Sequence, residues 1–144
     1  MKPRPFTVGE QLLALKKKPV ILTEAQKIVR SEEQNEWRNL LLKQISEAQI
    51  PTPEIECQFH PDRKYRADIC WKPIKFIVEI DGGIWKDKAG HTTGTGYERD
   101  RIRDAEAMGL GFSTLRVTHG MIKRLEAIYY IKKLFKGFKD ERDL

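Results

Sequence analysis

The apolar positions of this 144-residue chain change period along its length, and the changes mark out its elements. From Ser31, with Gln34 three residues on as a capping-box partner, Trp37, Leu40, Leu41, Ile45 and Ala48 recur at helical spacing as far as Pro51. Strand-like runs follow at Ile55–His60, Tyr65–Trp71 and Ile74–Asp81, separated by the turn HPDRK at residues 60–64 and by Lys72-Pro73. Helical spacing returns over Tyr97–Met108 and closes at Gly109, with Ile102, Ala105 and Met108 assigned inward and Arg99, Arg101 and Arg103 outward. Phe112–Val117 is a further strand. Thr118 then caps a last helix, lined by Met121, Leu125, Ile128, Tyr129 and Leu134 and coated by Lys123, Arg124, Lys132, Lys133, Lys136 and Lys139. The order α, β, β, β, α, β, α predicts an α/β fold with one central mixed sheet flanked by helices. Its strand–helix–strand passage predicts a right-handed crossover with parallel pairing.

Two stretches stand outside that pattern. Residues 82–96, GGIWKDKAGHTTGTG, form a polar, Gly-rich loop too long to be mere connection, and it contains Trp85, Lys86, Lys88 and His91. Residues 1–30 open on the Pro-rich MKPRPF and contain two capping boxes, Thr7 with Glu10 and Thr23 with Gln26, but apolar groups too sparse for a core of their own. They are assigned to a basic N-terminal arm with short helices, and residues 31–144 to a single domain.

Charge sharpens the division. The net charge is +6, and residues 1–30 hold seven Lys/Arg against two Glu, so the remainder stands at only +1. A polyanionic partner is favoured, with the excess placed at the N-terminal end. Cys57 and Cys70 lie in strand-like runs without Cys-x-x-Cys spacing and are expected to be buried, reduced thiols. Neither a signal peptide nor an apolar run of membrane-spanning length is read, so the expected setting is a reducing cytoplasm, with no membrane partner.

Three carboxylates, Asp68, Glu79 and Asp81, sit inside the two apolar strands that meet at Lys72-Pro73. Alternation puts Ile77, Glu79 and Asp81 on one face of the later strand and Phe76, Val78 and Ile80 on the other. A two-residue turn sets Asp68 opposite Ile77, one diagonal step from Glu79; a four-residue connection sets it directly opposite Glu79. Only an odd length separates the two carboxylates, because a one-residue slip inverts a strand. A carboxylate in an apolar strand is costly unless its desolvation is compensated. A divalent cation such as magnesium, which takes hard oxygen ligands and water, compensates it. The structural alternatives are pairing of Asp68 with Arg66, Arg63 or a lysine, and simple turn chemistry at Asp81-Gly82-Gly83. Glu33, which shares a helix face with Trp37, Leu40 and Leu41, is aimed inward, whereas Glu36 leans further round. The helix dipole alone also accounts for an early Glu.

With Asp68 on the second strand and Glu79-x-Asp81 on the third, residues 31–120 resemble the PD-(D/E)XK, or restriction-endonuclease-like, nuclease superfamily. The blocks EIDGGIW, HTTGTGYERD and GLGFSTLRVT also resemble small phage nucleases related to very-short-patch-repair endonucleases and archaeal-type Holliday junction resolvases. The resemblance implies a restriction-endonuclease-like core and a nuclease domain over residues 31–144. It implies Asp68 and Glu79 as ligands of Mg2+, with Mn2+ as a substitute, and Glu33 as an added helix-borne ligand. Asp81 stands where the motif's lysine is usual, as in a minority of the superfamily, and is expected to bind metal or orient the attacking water. Lys75, Lys86 or Lys88 then supplies the missing positive charge, and with Arg99 these are the expected DNA contacts. His91 is the candidate for moving a proton or holding the scissile phosphate.

The expected activity is therefore a metal-dependent endodeoxyribonuclease hydrolysing DNA phosphodiesters, foremost a Holliday junction resolvase of DNA recombination and repair. A homodimer is expected, because two nicks across a four-way junction need two sites. The alternatives are a very-short-patch-repair-like or restriction-type nicking endonuclease and a non-catalytic DNA-binding protein on the same fold. Gly94-Thr95-Gly96 lacks the GK[ST] continuation of a phosphate-binding loop. With no helix-turn-helix or zinc finger read, affinity is expected to come from phosphates and to fall steeply with salt.

Overall fold

A computed structural model describes residues 23–81 and 94–142. Its first helix, α1 (Glu24–Glu47), is closed at its start by a capping box: Thr23 Oγ1 accepts from the Gln26 N–H at 3.2 Å, and Gln26 Oε1 accepts from the Thr23 N–H at 3.0 Å. The expected start at Ser31 is thus seven residues late, and the 30/31 boundary falls inside a continuous helix. No glycine or proline between Thr23 and Ser31 stops a helix that has already been capped. The Thr7–Glu10 box lies outside the described residues.

Four strands follow, β1 (Glu54–Gln58), β2 (Arg66–Trp71), β3 (Phe76–Asp81) and β4 (Ser113–Thr118), in the spatial order β1-β2-β3-β4. The first three are antiparallel neighbours, and β4 joins β3 in parallel after the crossing helix α2 (Gly94–Gly109). This is the mixed sheet, flanked by helices, that the order of elements predicts.

The even positions of β3 look one way and the odd positions the other. Phe76, Val78 and Ile80 join Ile69, Trp71 and Val117 in a core closed by Leu41 and Ile45 of α1 and by Ile122, Ala127 and Ile131 of the two last helices. On the opposite face Ile77 meets Cys70, Ala67, Cys57, Phe59 and Ala107 of α2. Each fully buried aliphatic or aromatic side chain here contributes roughly 1.5–3 kcal/mol of transfer free energy. Cys57 and Cys70 are free and buried as expected, and desolvation pushes both thiols up. The Trp71 indole satisfies its N–H on the Pro51 carbonyl at 2.7 Å.

The β2–β3 connection sets the register that matters for the site. Lys72–Ile74 form one turn of 3-10 helix with Pro73 inside it, and Lys75 then takes a left-handed conformation (φ 52°) before β3 begins at Phe76. Four residues therefore link Trp71 to its partner Phe76, and the pairs Cys70↔Ile77 and Ile69↔Val78 follow. Of the two even-length connections, the longer one forms.

The last helix is not continuous. Thr118 caps it as expected, accepting from the Met121 N–H at 3.2 Å, but α3 (His119–Lys123) ends at Leu125 (φ 64°) and α4 (Glu126–Arg142) starts afresh. The break shifts the helical phase. Leu125 and Tyr129, expected in the core, are exposed, whereas Ile128 is buried as expected and Ala127 and Ile131 join it. Among the described residues no helix is long and apolar enough to cross a membrane.

Candidate active site

One further step along the β2–β3 register from Ile69↔Val78 brings Asp68 opposite Glu79. Both lie on the face shared by Cys70 and Ile77, beneath α2. Asp68 Oδ2 accepts from the Ile80 N–H at 2.8 Å, so the side chain continues the hydrogen-bonded ladder where the Cα pairs stop. That bond fixes the carboxylate against the strand and leaves its second oxygen available toward Glu79.

Glu79 is 6% exposed. Burial raises its carboxyl from 4.5 to about 8, and the negative charge of Asp68 and a hydrogen bond shared with it push in the same direction. The guanidinium groups of Arg103 and Arg116 act the other way. Near neutral pH Glu79 therefore holds its proton beside Asp68, and a cation placed between the two carboxyls would displace it.

Arg116 of β4 is the register partner of Glu79, which brings a guanidinium beside the acidic pair. Its Nη1 donates to Asp81 Oδ1 at 3.1 Å, and its Nη2 donates to Asp104 Oδ1 of α2. Asp81 is therefore engaged by an arginine. Among the described residues no group of three or more metal-ligating side chains gathers at one point. Of the expected set of Asp68, Glu79, Asp81 and Glu33, the β2–β3 register brings together Asp68 and Glu79.

Glu33 belongs to α1, the helix that packs on the Val78–Ile80 face rather than on the Glu79 face. Its neighbour Gln34 contacts the end of β3, donating from Nε2 to the Ile80 carbonyl at 3.1 Å. Glu36 is exposed. Lys75 is also displaced from its expected role. It stands at the opposite end of β3, four residues before Glu79 and roughly 13 Å along the strand at ~3.3 Å per residue. There its Nζ donates to the Leu110 carbonyl at 3.0 Å, bracing the turn between α2 and β4. Arg99 lies on the exposed surface of α2, and Lys86, Lys88 and His91 lie outside the described residues.

The residues that sequence reasoning missed are on α2 and β4. Asp100, Arg103, Asp104 and Ala107 turn toward the sheet, while Ile102 (52%), Ala105 and Met108 (75%) are exposed; Arg99 and Arg101 stay outward as expected, so α2 is rotated from its expected facing. The physical reason lies beneath the helix: a sheet surface carrying Asp68, Glu79 and Asp81 is better covered by arginine than by isoleucine. Two signals point that way. Arg103 and Asp104 are spaced with Ala107 at helical intervals, and Arg116 follows one strand position after Leu115 in the run that pairs with β3.

The arrangement can hold and release a proton near neutrality, and it presents two hard carboxylate groups from adjacent strands with arginines at their side. Magnesium asks for one or two carboxylates, completed by waters and substrate phosphate oxygens. The pair fits that demand, whereas among the described residues a cage of four protein carboxylates does not form. Compared with models of known protein families, with curated proteins and with solved structures, the chain gives no match.

Proposed function

We propose that the chain is a metal-dependent endodeoxyribonuclease with a restriction-endonuclease-like core and that Asp68 and Glu79 are its metal ligands. The observation that carries this reading is the β2–β3 register, which sets a buried, proton-holding Glu79 opposite an Asp68 already oriented by the Ile80 N–H. A buried acid that holds its proton beside a second carboxylate is the state expected of a two-carboxylate cation site without its cation.

A bound Mg2+ would supply a water of lowered pKa and neutralise charge developing on the phosphorus. The remaining work falls to the chain. Asp68, locked by its main-chain hydrogen bond, is held beside Glu79. Glu79 would release its proton on binding such a cation and serve as its second carboxylate ligand. Arg103 is the first charge to oppose burial at Glu79, and it takes the part of the positive group that the motif's lysine fills elsewhere. Arg116 positions Asp81 and Asp104 and holds α2 to the sheet. Branched DNA cut by a homodimer remains the favoured substrate on resemblance, and Lys86, Lys88 and His91 remain candidates for phosphate contact.

A second reading is a non-catalytic DNA-binding protein on the same fold, favoured by one observation: Asp81 is engaged by Arg116, and among the described residues only two carboxylates meet. The two readings part in one experiment. The full chain is incubated with a synthetic four-way junction and a matched linear duplex, in Mg2+ or Mn2+. Cleavage that is lost in both Asp68→Asn and Glu79→Gln supports the hydrolase. Binding without cleavage by the unaltered chain overturns it, and equal cutting of both substrates removes the resolvase assignment.

A further inference from the structure

The sequence places the positive excess in residues 1–30, with the rest near neutral, but folding sorts the remainder. Residues 31–118 hold thirteen Lys/Arg against fifteen Asp/Glu, residues 119–137 five Lys/Arg against one Glu, and residues 138–144 two Lys/Arg against three Asp/Glu, so the positive stretch of that remainder is 119–137. That single acid, Glu126, accepts from Arg124 Nε at 2.6 Å. Lys123, Lys132, Lys133 and Lys136 are all exposed, and among the described residues no ion pair engages them.

Their arrangement on α4 is ordered by what the helix buries. Ala127, Ile128 and Ile131 are spent on the core, so the opposite side brings Tyr129, Lys132, Lys133 and Lys136 together at i, i+3, i+4 and i+7. Tyr129 is 57% exposed and Tyr130 43%, and the two rings meet edge to face at 5.1 Å. A merely solvated helix face does not need two open aromatic rings in a row of lysines. The whole face also lies on the layer opposite Asp68 and Glu79, since α4 covers the Phe76–Val78–Ile80 side of the sheet.

We propose that the exposed face of α4, with Lys132, Lys133 and Lys136 around Tyr129, is a docking surface for a nucleic-acid strand with unpaired bases. The lysines meet consecutive phosphates and Tyr129 offers a platform on which a base stacks. Charge complementarity selects a polyanion, and the rings select one that carries flat bases. An anionic membrane fits less well, because the apolar side of α4 is already consumed by the core and has nothing left to insert. The surface does not depend on the acidic pair being catalytic.

The test is binding of a labelled thymidine oligomer to the full chain in EDTA, followed by fluorescence anisotropy over a series of salt concentrations. The chelator removes cleavage from the readout, so failure here is distinct from failure of the hydrolase reading. Residues 1–30 are present throughout, so the difference between variants reports α4. Replacing Lys132, Lys133 and Lys136 together by Gln is expected to weaken binding roughly a hundredfold near 0.1 M salt and to flatten the log K against log salt slope by about 2. The corresponding Lys→Arg triple retains both. Tyr129→Ala is expected to lose about tenfold on the oligomer without altering the slope, and little on a fully paired hairpin. All these positions are exposed, and matching thermal melts confirm an intact fold. Unchanged affinity in the Gln triple overturns the proposal, as does binding to phosphatidylserine vesicles but not to the oligomer. Equal loss on oligomer and hairpin in Tyr129→Ala overturns the selection of unpaired bases.

Discussion

Replacing Glu79 by Gln should make the metal-free protein more stable at alkaline pH, although it removes a proposed ligand. In the unfolded chain a glutamate ionises near 4.5, whereas in the fold Glu79 keeps its proton until about 8. Between those values the folded state binds the extra proton, so stability falls as pH rises through the window and the loss is complete above it. At about 1.4 kcal/mol per pH unit the full span is on the order of 4–5 kcal/mol, an upper figure for a buried acid beside a second carboxylate. Gln is nearly isosteric, cannot ionise and can still donate to Asp68. In EDTA at pH 5 the two proteins should therefore agree to within about 1 kcal/mol. At pH 8.5 the Gln variant should exceed the original by roughly 3–4 kcal/mol, or about 10 °C in melting temperature. Urea denaturation followed by tryptophan fluorescence, at stepped pH, reads the difference directly. Adding Mg2+ at pH 8.5 should close the gap by stabilising the original protein alone. Two stability curves that run parallel from pH 5 to 8.5 would refute a proton held on Glu79 by burial and by Asp68.

Three further outcomes rest on individual side-chain contacts and one backbone conformation. Lys75→Met should leave nuclease activity, measured on any cleaved substrate, within about twofold, because the side chain braces Leu110 at the far end of β3; its cost should appear as about 1 kcal/mol of stability. Arg116→Lys should not replace the arginine, since one ammonium cannot bridge Asp81 and Asp104 as the planar fork does, and urea titration should show a loss of about 2 kcal/mol. Leu125→Gly should raise the melting temperature by a few degrees, because an exposed leucine held at φ 64° occupies the left-handed position that glycine takes at a helix end at a saving of about 1 kcal/mol.

What could be read in advance follows from where single local signals suffice. The α, β, β, β, α, β, α order, the parallel β3–β4 pairing and the Thr118 cap each rest on periodicity or capping chemistry close in sequence, and each is present. The convergence of Asp68 and Glu79 was legible as one of two even-length connections. Choosing between them needed the left-handed turn at Lys75, which no side chain there advertises. The facing of α2 was misread because hydrophobic periodicity assumes an apolar floor, and the floor under α2 is acidic at one end. For the same reason Arg103 and Arg116 were passed over and Asp81 was credited with a free carboxylate. The break at Leu125 was invisible to a pattern that continues through it, since a leucine at that point reads as core.

The outermost strand has a consequence for how two copies of the chain can meet. β1 ends the sheet on one side, and Glu56 at its centre has φ 46° and drops out of the run of Cα partners between Ile55↔Ile69 and Cys57↔Ala67. A border interrupted in this way, and carrying acidic side chains at Glu54 and Glu56, is a poor seam for stitching on a neighbour's strand. Open-ended stacking of sheets is discouraged at that margin.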